Sequence, residues 1–253
     1  MKITILTLFP EMFDGPFRES ILKHAQQKGL VDIKLVNIRD FGEGRHKVVD
    51  DRPYGGGVGM VMRVDILDNA LNYAKHLYPS ISKDQQKTVL LDARGTTFTQ
   101  KDAKKISQLD HLILLCGHYE GVDERARGLV DQTISLGDFI TTGGEIPAML
   151  IVDSVIRLIP GVLKEDATEI ESFSIQIPHV IPAKAGIQRD GSRVKHGMTN
   201  SCLLEYPQYT IPREYNGKAV PNILLSGNHR EIEKWRKEKS QEITKKYRPD
   251  LLK

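Results

Sequence analysis

TISLGDFITTGGEIPAMLIVDSVIRL, residues 133–158, passes from a short apolar strand through a glycine turn into a long apolar helix. Residues 133–139 read as the strand. From Glu145 to Leu158 apolar side chains fall on most faces of a helix, which predicts a buried one. Between them, Thr141-Thr142-Gly143-Gly144-Glu145 makes a turn where backbone can come close to a neighbour or a ligand. The turn has neither the GxxxxGK[ST] of a phosphate loop nor the GxGxxG of a dinucleotide fold.

Working outward, the same alternation repeats. ITILTLF (3–9) is a near-continuous apolar run, the mark of a strand covered on both faces. A helical pattern follows over about 11–28, ending at Gly29, and then the strand DIKLVNI (32–38). VDILDNALNYAKHL (64–77) reads as helix, TVLLDA (88–93) as strand, TQKDAKKISQL (99–109) as helix and HLILLCG (111–117) as strand. A short helix near 123–129 leads back to the opening stretch. Strands alternating with helices predict an α/β fold, a mainly parallel sheet with helices on both faces.

After Gly161 the texture changes. Residues 162–174 are acidic and poor in core formers, and 175–200 carries two prolines and three glycines with no sustained period. The expected organisation is a body over 1–161, a linker over 162–202 with an atypical insertion at about 175–200, and a small helical module over 203–253. A helix over about 229–246 carries Trp235.

Forty per cent apolar and 27 per cent charged residues among 253 are ordinary for a globular protein. The net charge of +3 excludes nothing, but residues 203–253 hold 11 Lys/Arg against 7 Asp/Glu, a basic module suited to an anionic partner. Two cysteines outside any CxxC argue against a disulfide framework or zinc site. His46, His118 and His229 have no metal spacing, and no fixed metal site is expected. The opening run is too short for a signal-peptide core, and no run reaches the ~18 apolar residues of a membrane span. A soluble, cytoplasmic protein is the expectation.

Three glycine clusters follow strands: DDRPYGGGVGM (50–60), CGHYEG (116–121) and TTGGEIP (141–147). Loops beyond the carboxyl ends of parallel strands are where α/β proteins bind ligands. None of the three brings a lysine for phosphates. Backbone-rich loops without such charge suit a ligand gripped by N–H and C=O groups, such as an adenine ring.

LFPEMF (8–13), DDRPYGGGVGM, CGHYEGVDER (116–125), SLGDFITTGGEIPAM (135–149) and LLSGNH (224–229) closely resemble the bacterial tRNA (guanine-N1-)-methyltransferases, in the same order along the chain. The resemblance implies a SPOUT fold with a carboxyl-terminal trefoil knot, S-adenosylmethionine as methyl donor, and tRNA guanosine 37, beside the anticodon, as acceptor. It also implies a homodimer whose active site is completed across the two-fold axis, and a Mg²⁺ requirement. By the same resemblance the cofactor is wrapped by Leu91, Asp92, Ala93, Gly117, Tyr119, Glu120, Leu136, Gly137, Phe139, Thr141, Gly143, Gly144 and Pro147.

Methylation at N1 of guanine needs a base for the N1 proton, a donor for the charge that spreads to O6, and an aligned methyl group. Arg157, four residues after Asp153, is compatible with a structural i,i+4 ion pair; the resemblance makes it the residue that stabilises O6. The family's base, usually an aspartate in DSF, falls here on Glu171 in ESF, with Glu169 as rival. Glu120 is implied to orient methionine or guanine, or to hold Mg²⁺, and these stay open. RNA contacts are expected from Arg52 and Gly59 in the second-strand loop. Ser226, Asn228 and His229 lie at the start of the last helix, and Lys234, Arg236 and Lys237 along it. The alternatives are a SPOUT enzyme for another RNA and a non-catalytic RNA-binding relative. VIPAKAGIQ (180–188), inside the insertion, resembles translated palindromic repeat DNA.

Overall fold

Five parallel strands build the core of a computed structural model that describes residues 1–164, 167–176 and 202–252. They are β1 (Lys2–Thr7), β2 (Asp32–Asn37), β3 (Gln86–Thr97), β4 (His111–Cys116) and β5 (Gln132–Ser135), in the order β2-β1-β4-β3-β5. In register, Ile5 lies between Leu35 and Leu114, and Leu90 between Leu115 and Thr133. All six residues of β4 are buried, as its unbroken apolar run requires.

Successive side chains face opposite sides of the sheet. Ile3, Ile5, Leu112, Leu114, Val89 and Leu91 pack with α1 (Ser20–Gln27) and α4 (Glu145–Ile156). Leu6, Ile113, Leu115 and Leu90 pack with α2 (Val64–Lys75), through Ile66, Leu67, Ala70, Leu71 and Ala74. A shorter helix, α3 (Gln100–Ile106), opens with a capping box between Thr99 and Asp102. The α/β class and the central parallel sheet with helices are therefore as expected.

Three local expectations are corrected. The pattern over 11–28 is not one helix: a 3₁₀ turn (Pro10–Phe13) and a helical turn (Asp14–Phe17) precede α1, and Ser20 stands at φ +52. Gly15 and Pro16 favour that break. The expected helix near 123–129 is 3₁₀, begun by Asp123, whose side chain accepts from the Arg125 N–H. Helix α4 is not buried all round, for Ile146 is 48% and Leu150 51% exposed. One turn apart, these two form an apolar stripe on its outer face.

The chain divides into two compact units, Met1–Lys164 and Glu165–Lys253. In the second, Ile175–Gln176 pairs antiparallel with Cys202–Leu203, and Glu214–Tyr215 with Lys218–Ala219. Its long helix α5 (His229–Tyr247) is capped by Asn228, whose side chain accepts from Glu231 N–H. The stretch expected to be an insertion, 175–200, lies outside the described residues apart from Ile175 and Gln176. Among the described residues no helix is long and apolar enough to cross a membrane.

Candidate active site

Beyond the carboxyl ends of β3, β4 and β5 lies a cleft of ≈ 1410 Å³. It exists because the strands end in loops that let backbone meet backbone. Gly144 N–H donates to the Gly117 carbonyl at 2.8 Å, and a Cβ on Gly144 would come 2.7 Å from Cys116 Cα. A Cβ on Gly143 would press on the Glu145 carboxylate and stand 2.6 Å from His118 Nδ1. Gly95 serves the same end on β3, since a Cβ there would lie 2.6 Å from the Ile134 backbone. The register shifts between Leu91 and Thr96, so that Ile134 pairs with both.

Leu91, Asp92, Ala93, Gly117, Tyr119, Glu120, Leu136, Phe139, Thr141, Gly143, Gly144 and Pro147 all line this cleft. Gly137 does not. Its φ of +148 and its carbonyl, which accepts from Phe139 N–H and Ser135 Oγ, shape the loop from behind. Tyr119 takes a left-handed φ of +59, and its hydroxyl accepts from Arg39 at 3.3 Å. Thr141 Oγ1 donates to the Gly143 carbonyl at 2.8 Å, closing the turn on itself.

The rim carries charge. Asp92 pairs with Arg94 and Arg127, each at 3.0 Å. Burial opposes the Asp92 charge, but hydrogen bonds from Arg94 and the charges of Arg94 and Arg127 prevail and hold its carboxyl below the usual range. Asp123 is held down chiefly by its hydrogen bond from Arg125. At the floor, burial first and the nearby Glu145 charge second push the Cys116 thiol well up, which makes it a packing residue and no nucleophile.

The loop 50–60 reaches the same cleft through Asp51, Arg52, Pro53, Tyr54 and Gly55. Gly59 is outside the lining but packs on Glu120. Arg157 is half-buried beyond the last turn of α4, with its N–H on the Asp153 carbonyl at 3.3 Å, and does not line the cleft. Gly144 and Arg157 stand at opposite ends of one helix, roughly 20 Å apart along its axis.

In the second unit, Glu171 is half-buried, and its Oε1 accepts a long hydrogen bond of 3.5 Å from Ser174 Oγ. Glu169 is exposed. Ser226 Oγ accepts from Asn228 N–H at 3.1 Å, so it supports the cap that Asn228 makes. His229, Lys234 and Lys237 are exposed. Arg236 is already engaged: it is paired with Glu233 at 2.6 Å and stacked 4.8 Å over the Tyr206 ring.

Sequence reasoning missed Arg94, Tyr54 and Ile140, which also line the cleft. His118 lines it too, inside the stretch from Gly117 to Glu120 in CGHYEG. Among the described residues no three His, Cys, Asp or Glu side chains gather as a metal-binding group.

Fold and cleft together define an α/β protein with a glycine-lined cleft at the carboxyl edge of a parallel sheet. The chain belongs to the tRNA (Guanine-1)-methyltransferase TrmD family, a methyltransferase family whose model matches residues 1–253. Similar proteins named tRNA (guanine-N(1)-)-methyltransferase agree with this. That of Carboxydothermus hydrogenoformans is 50% identical over 255 residues, covering 100% of this chain and 88% of its own. The one from Dictyoglomus turgidum is 47% identical over 253 residues, covering 100% and 90%. In Alkaliphilus metalliredigens the relative is 48% identical over 255 residues, covering 100% and 92%.

Proposed function

We propose that this chain transfers a methyl group from S-adenosylmethionine to N1 of guanosine 37 in tRNA. The observation that carries the reading is the convergence of the three glycine loops on one cleft, in a chain matched by the family model from end to end. The cleft fits the cofactor. Its floor is bare backbone at Gly117, Gly143 and Gly144, while Leu91, Leu136, Phe139 and Pro147 offer apolar walls for an adenine ring. Glu120 and Asp92 suit the amino group of the methionine moiety. When bound, S-adenosylmethionine would supply an electrophilic methyl group, with the electrons of the broken S–CH3 bond left on the sulfur of a thioether product.

The chain's own residues do the rest. The Glu171 carboxylate accepts the N1 proton, so that the freed N1 lone pair of guanine takes up the methyl group. Arg157 donates to O6, where the negative charge of the deprotonated base spreads. Glu120 orients the cofactor or the base. Arg52 and Gly59, with Ser226, Asn228, His229, Lys234, Arg236 and Lys237, meet tRNA, mainly at its backbone. A Mg²⁺ requirement belongs to the proposal, but the described residues offer no metal-binding group, and no step is routed through the ion.

The finer architecture is proposed with it: residues 1–161 as a SPOUT domain whose carboxyl-terminal strands and loops form a trefoil knot, 162–202 as linker, and 203–253 as a tRNA-binding domain. We further propose a homodimer with each site completed by both subunits. Two observations support it: Arg157 and the cleft lie at opposite ends of α4, and Ile146 and Leu150 form an uncovered apolar stripe between them. The decisive experiment incubates the protein with methyl-labelled S-adenosylmethionine and tRNA bearing guanosine 37, and then maps the label. Label at N1 of that nucleotide is expected. Label elsewhere means another RNA substrate, and cofactor binding without transfer means a non-catalytic relative.

A further inference from the structure

Glu145 is the one carboxylate among the described residues that is buried, at 2% exposed. It is the first residue of α4, directly after the glycine turn. Its Oε1 accepts from Thr7 Oγ1 at 2.8 Å, and Thr7 is itself buried at the end of β1. Phe9 N–H donates to the Thr7 hydroxyl oxygen at 2.9 Å, which leaves that hydroxyl's proton for Glu145. Oε2 faces His118 Nδ1 at 3.9 Å, too far for a hydrogen bond, and among the described residues this buried ring nitrogen has no hydrogen-bond partner. Gly143 lies against both groups, so closely that any Cβ would collide. His118 in turn packs on Phe9 (centroids 4.8 Å) and edge-on to Tyr119 (5.0 Å), and both His118 and Tyr119 line the cleft.

A helix start by itself does not explain this side chain. A carboxylate in the first turn favours the helix from solvent just as well. Burial adds a desolvation cost that an exposed glutamate would avoid. The carboxylate is held where three elements meet, at the ends of β1 and β4 and at the glycine turn.

We propose that Glu145 is a positioning residue. Fixed by Thr7, its carboxylate holds the Gly143–Gly144 turn and the His118 ring as the floor against which S-adenosylmethionine is bound. The inference rests on reading this cleft as the cofactor site. Without the Thr7–Glu145 bond the turn loses its support from β1 and samples other conformations, so binding the cofactor must first order it.

Full-length Thr7→Val, Glu145→Ala and Glu145→Gln test this. Thr7→Val and Glu145→Ala should raise the Kd and KM for S-adenosylmethionine about tenfold, with kcat and the KM for tRNA changing far less. Glu145→Gln keeps an acceptor for Thr7 and should return Kd to within about threefold of the parent value. Amide hydrogen exchange of residues 141–145, measured without cofactor, should quicken in Thr7→Val and Glu145→Ala and not in Glu145→Gln. A folded Thr7→Val protein with parental Kd and parental exchange overturns the proposal, and it decides the matter if Glu145→Ala does not fold. So does a Glu145→Gln protein as impaired as Glu145→Ala. Parent protein that fails to bind S-adenosylmethionine refutes the cofactor reading instead, and the exchange comparison still judges the positioning role.

Discussion

Gly59 lies against the Glu120 side chain, where a Cβ would stand 2.5 Å from both Cγ and Oε1. Its φ is +83, and the Glu120 N–H donates to the next carbonyl, Met60, at 3.1 Å. Loop 50–60 thereby fixes where Glu120 points. Gly59→Ala should force Glu120 aside and lower turnover on tRNA by roughly 10- to 100-fold, the scale of a misplaced functional group. Gly55→Ala is the matched comparison: φ is +87 there, but nothing lies within 4 Å of the added Cβ. It carries the same backbone strain, about 1 kcal/mol, without the collision. Equal losses of turnover in the two variants would show that strain, not Glu120, is responsible.

His111 is buried between Thr4 and Gln86, with Nε2 2.9 Å from Thr4 Oγ1 and Nδ1 2.9 Å from Gln86 Oε1. The amide oxygen only accepts, so Nδ1 carries the proton and Nε2 accepts from the hydroxyl. Burial pushes the imidazole pKa down to about 4 from 6.5. Above pH 6.5 both folded and unfolded chains hold it neutral, and it costs nothing. As pH falls from 6.5 to about 4, the unfolded chain takes up a proton that the folded one refuses, so stability is lost by up to roughly 3 kcal/mol. Urea unfolding at pH 7, 5.5 and 4.5 should show this fall, and His111→Gln should flatten it. An equally steep fall in the variant would assign the acid sensitivity elsewhere.

Much of the fold was legible because apolar runs such as HLILLC and ITILT can be hidden only in a sheet covered on both faces. The glycine clusters were legible because parallel strands end in ligand-binding loops. Other features could not be read. Thr7 and Glu145 meet across 138 residues of sequence, and no periodicity encodes such a contact. Apolar character showed that Ile146 and Leu150 need cover, but not that this chain's own core leaves them without it. Gly143 read as a turn residue, whereas its lack of a Cβ is required by the Glu145 and His118 side chains beside it.

The expected insertion at about 175–200 should be removable between defined residues. Gln176 pairs with Cys202 across an antiparallel ladder, and Ile175 with Leu203, so both flanking strands belong to the second unit. The cut therefore falls after Gln176, two residues later than composition suggested. Joining Gln176 to Cys202 through Asn-Gly, a two-residue hairpin connection, should keep the ladder. The melting temperature should not fall, since shortening the connection from 25 residues to two lowers its closure entropy cost by about 2 kcal/mol. Loss of cooperative unfolding would mean that the removed residues carry part of the core.

Glu171 as the base makes a separate claim. Glu171→Gln keeps size and hydrogen bonding but abolishes basicity, and should slow single-turnover methyl transfer by roughly 100- to 10,000-fold. S-adenosylmethionine affinity should hardly change, because the glycine loops hold the cofactor. Glu169→Gln, two residues away, should remain fast. The reverse pattern would move the base to Glu169, and two fast variants would leave the proton to another route.

The position of Arg157 yields the sharpest test of assembly. If one subunit supplies the cleft and its partner supplies Arg157, then Arg157→Ala and Gly143→Ala damage different halves of the same site. Each homodimer carries two defective sites and should be nearly inactive. A mixed dimer has one site built from the intact cleft of the Arg157→Ala chain and the intact arginine of the Gly143→Ala chain. Its other site carries both lesions. Random exchange makes half the dimers mixed, so an equimolar mixture, unfolded and refolded together, should recover roughly a quarter of parental activity. The two variants refolded apart and then combined without exchange should recover none. Sedimentation must show a dimer throughout. An equimolar mixture that stays inactive although the subunits exchange would mean that each subunit uses its own arginine. The separation along α4 would then have to be closed within one chain.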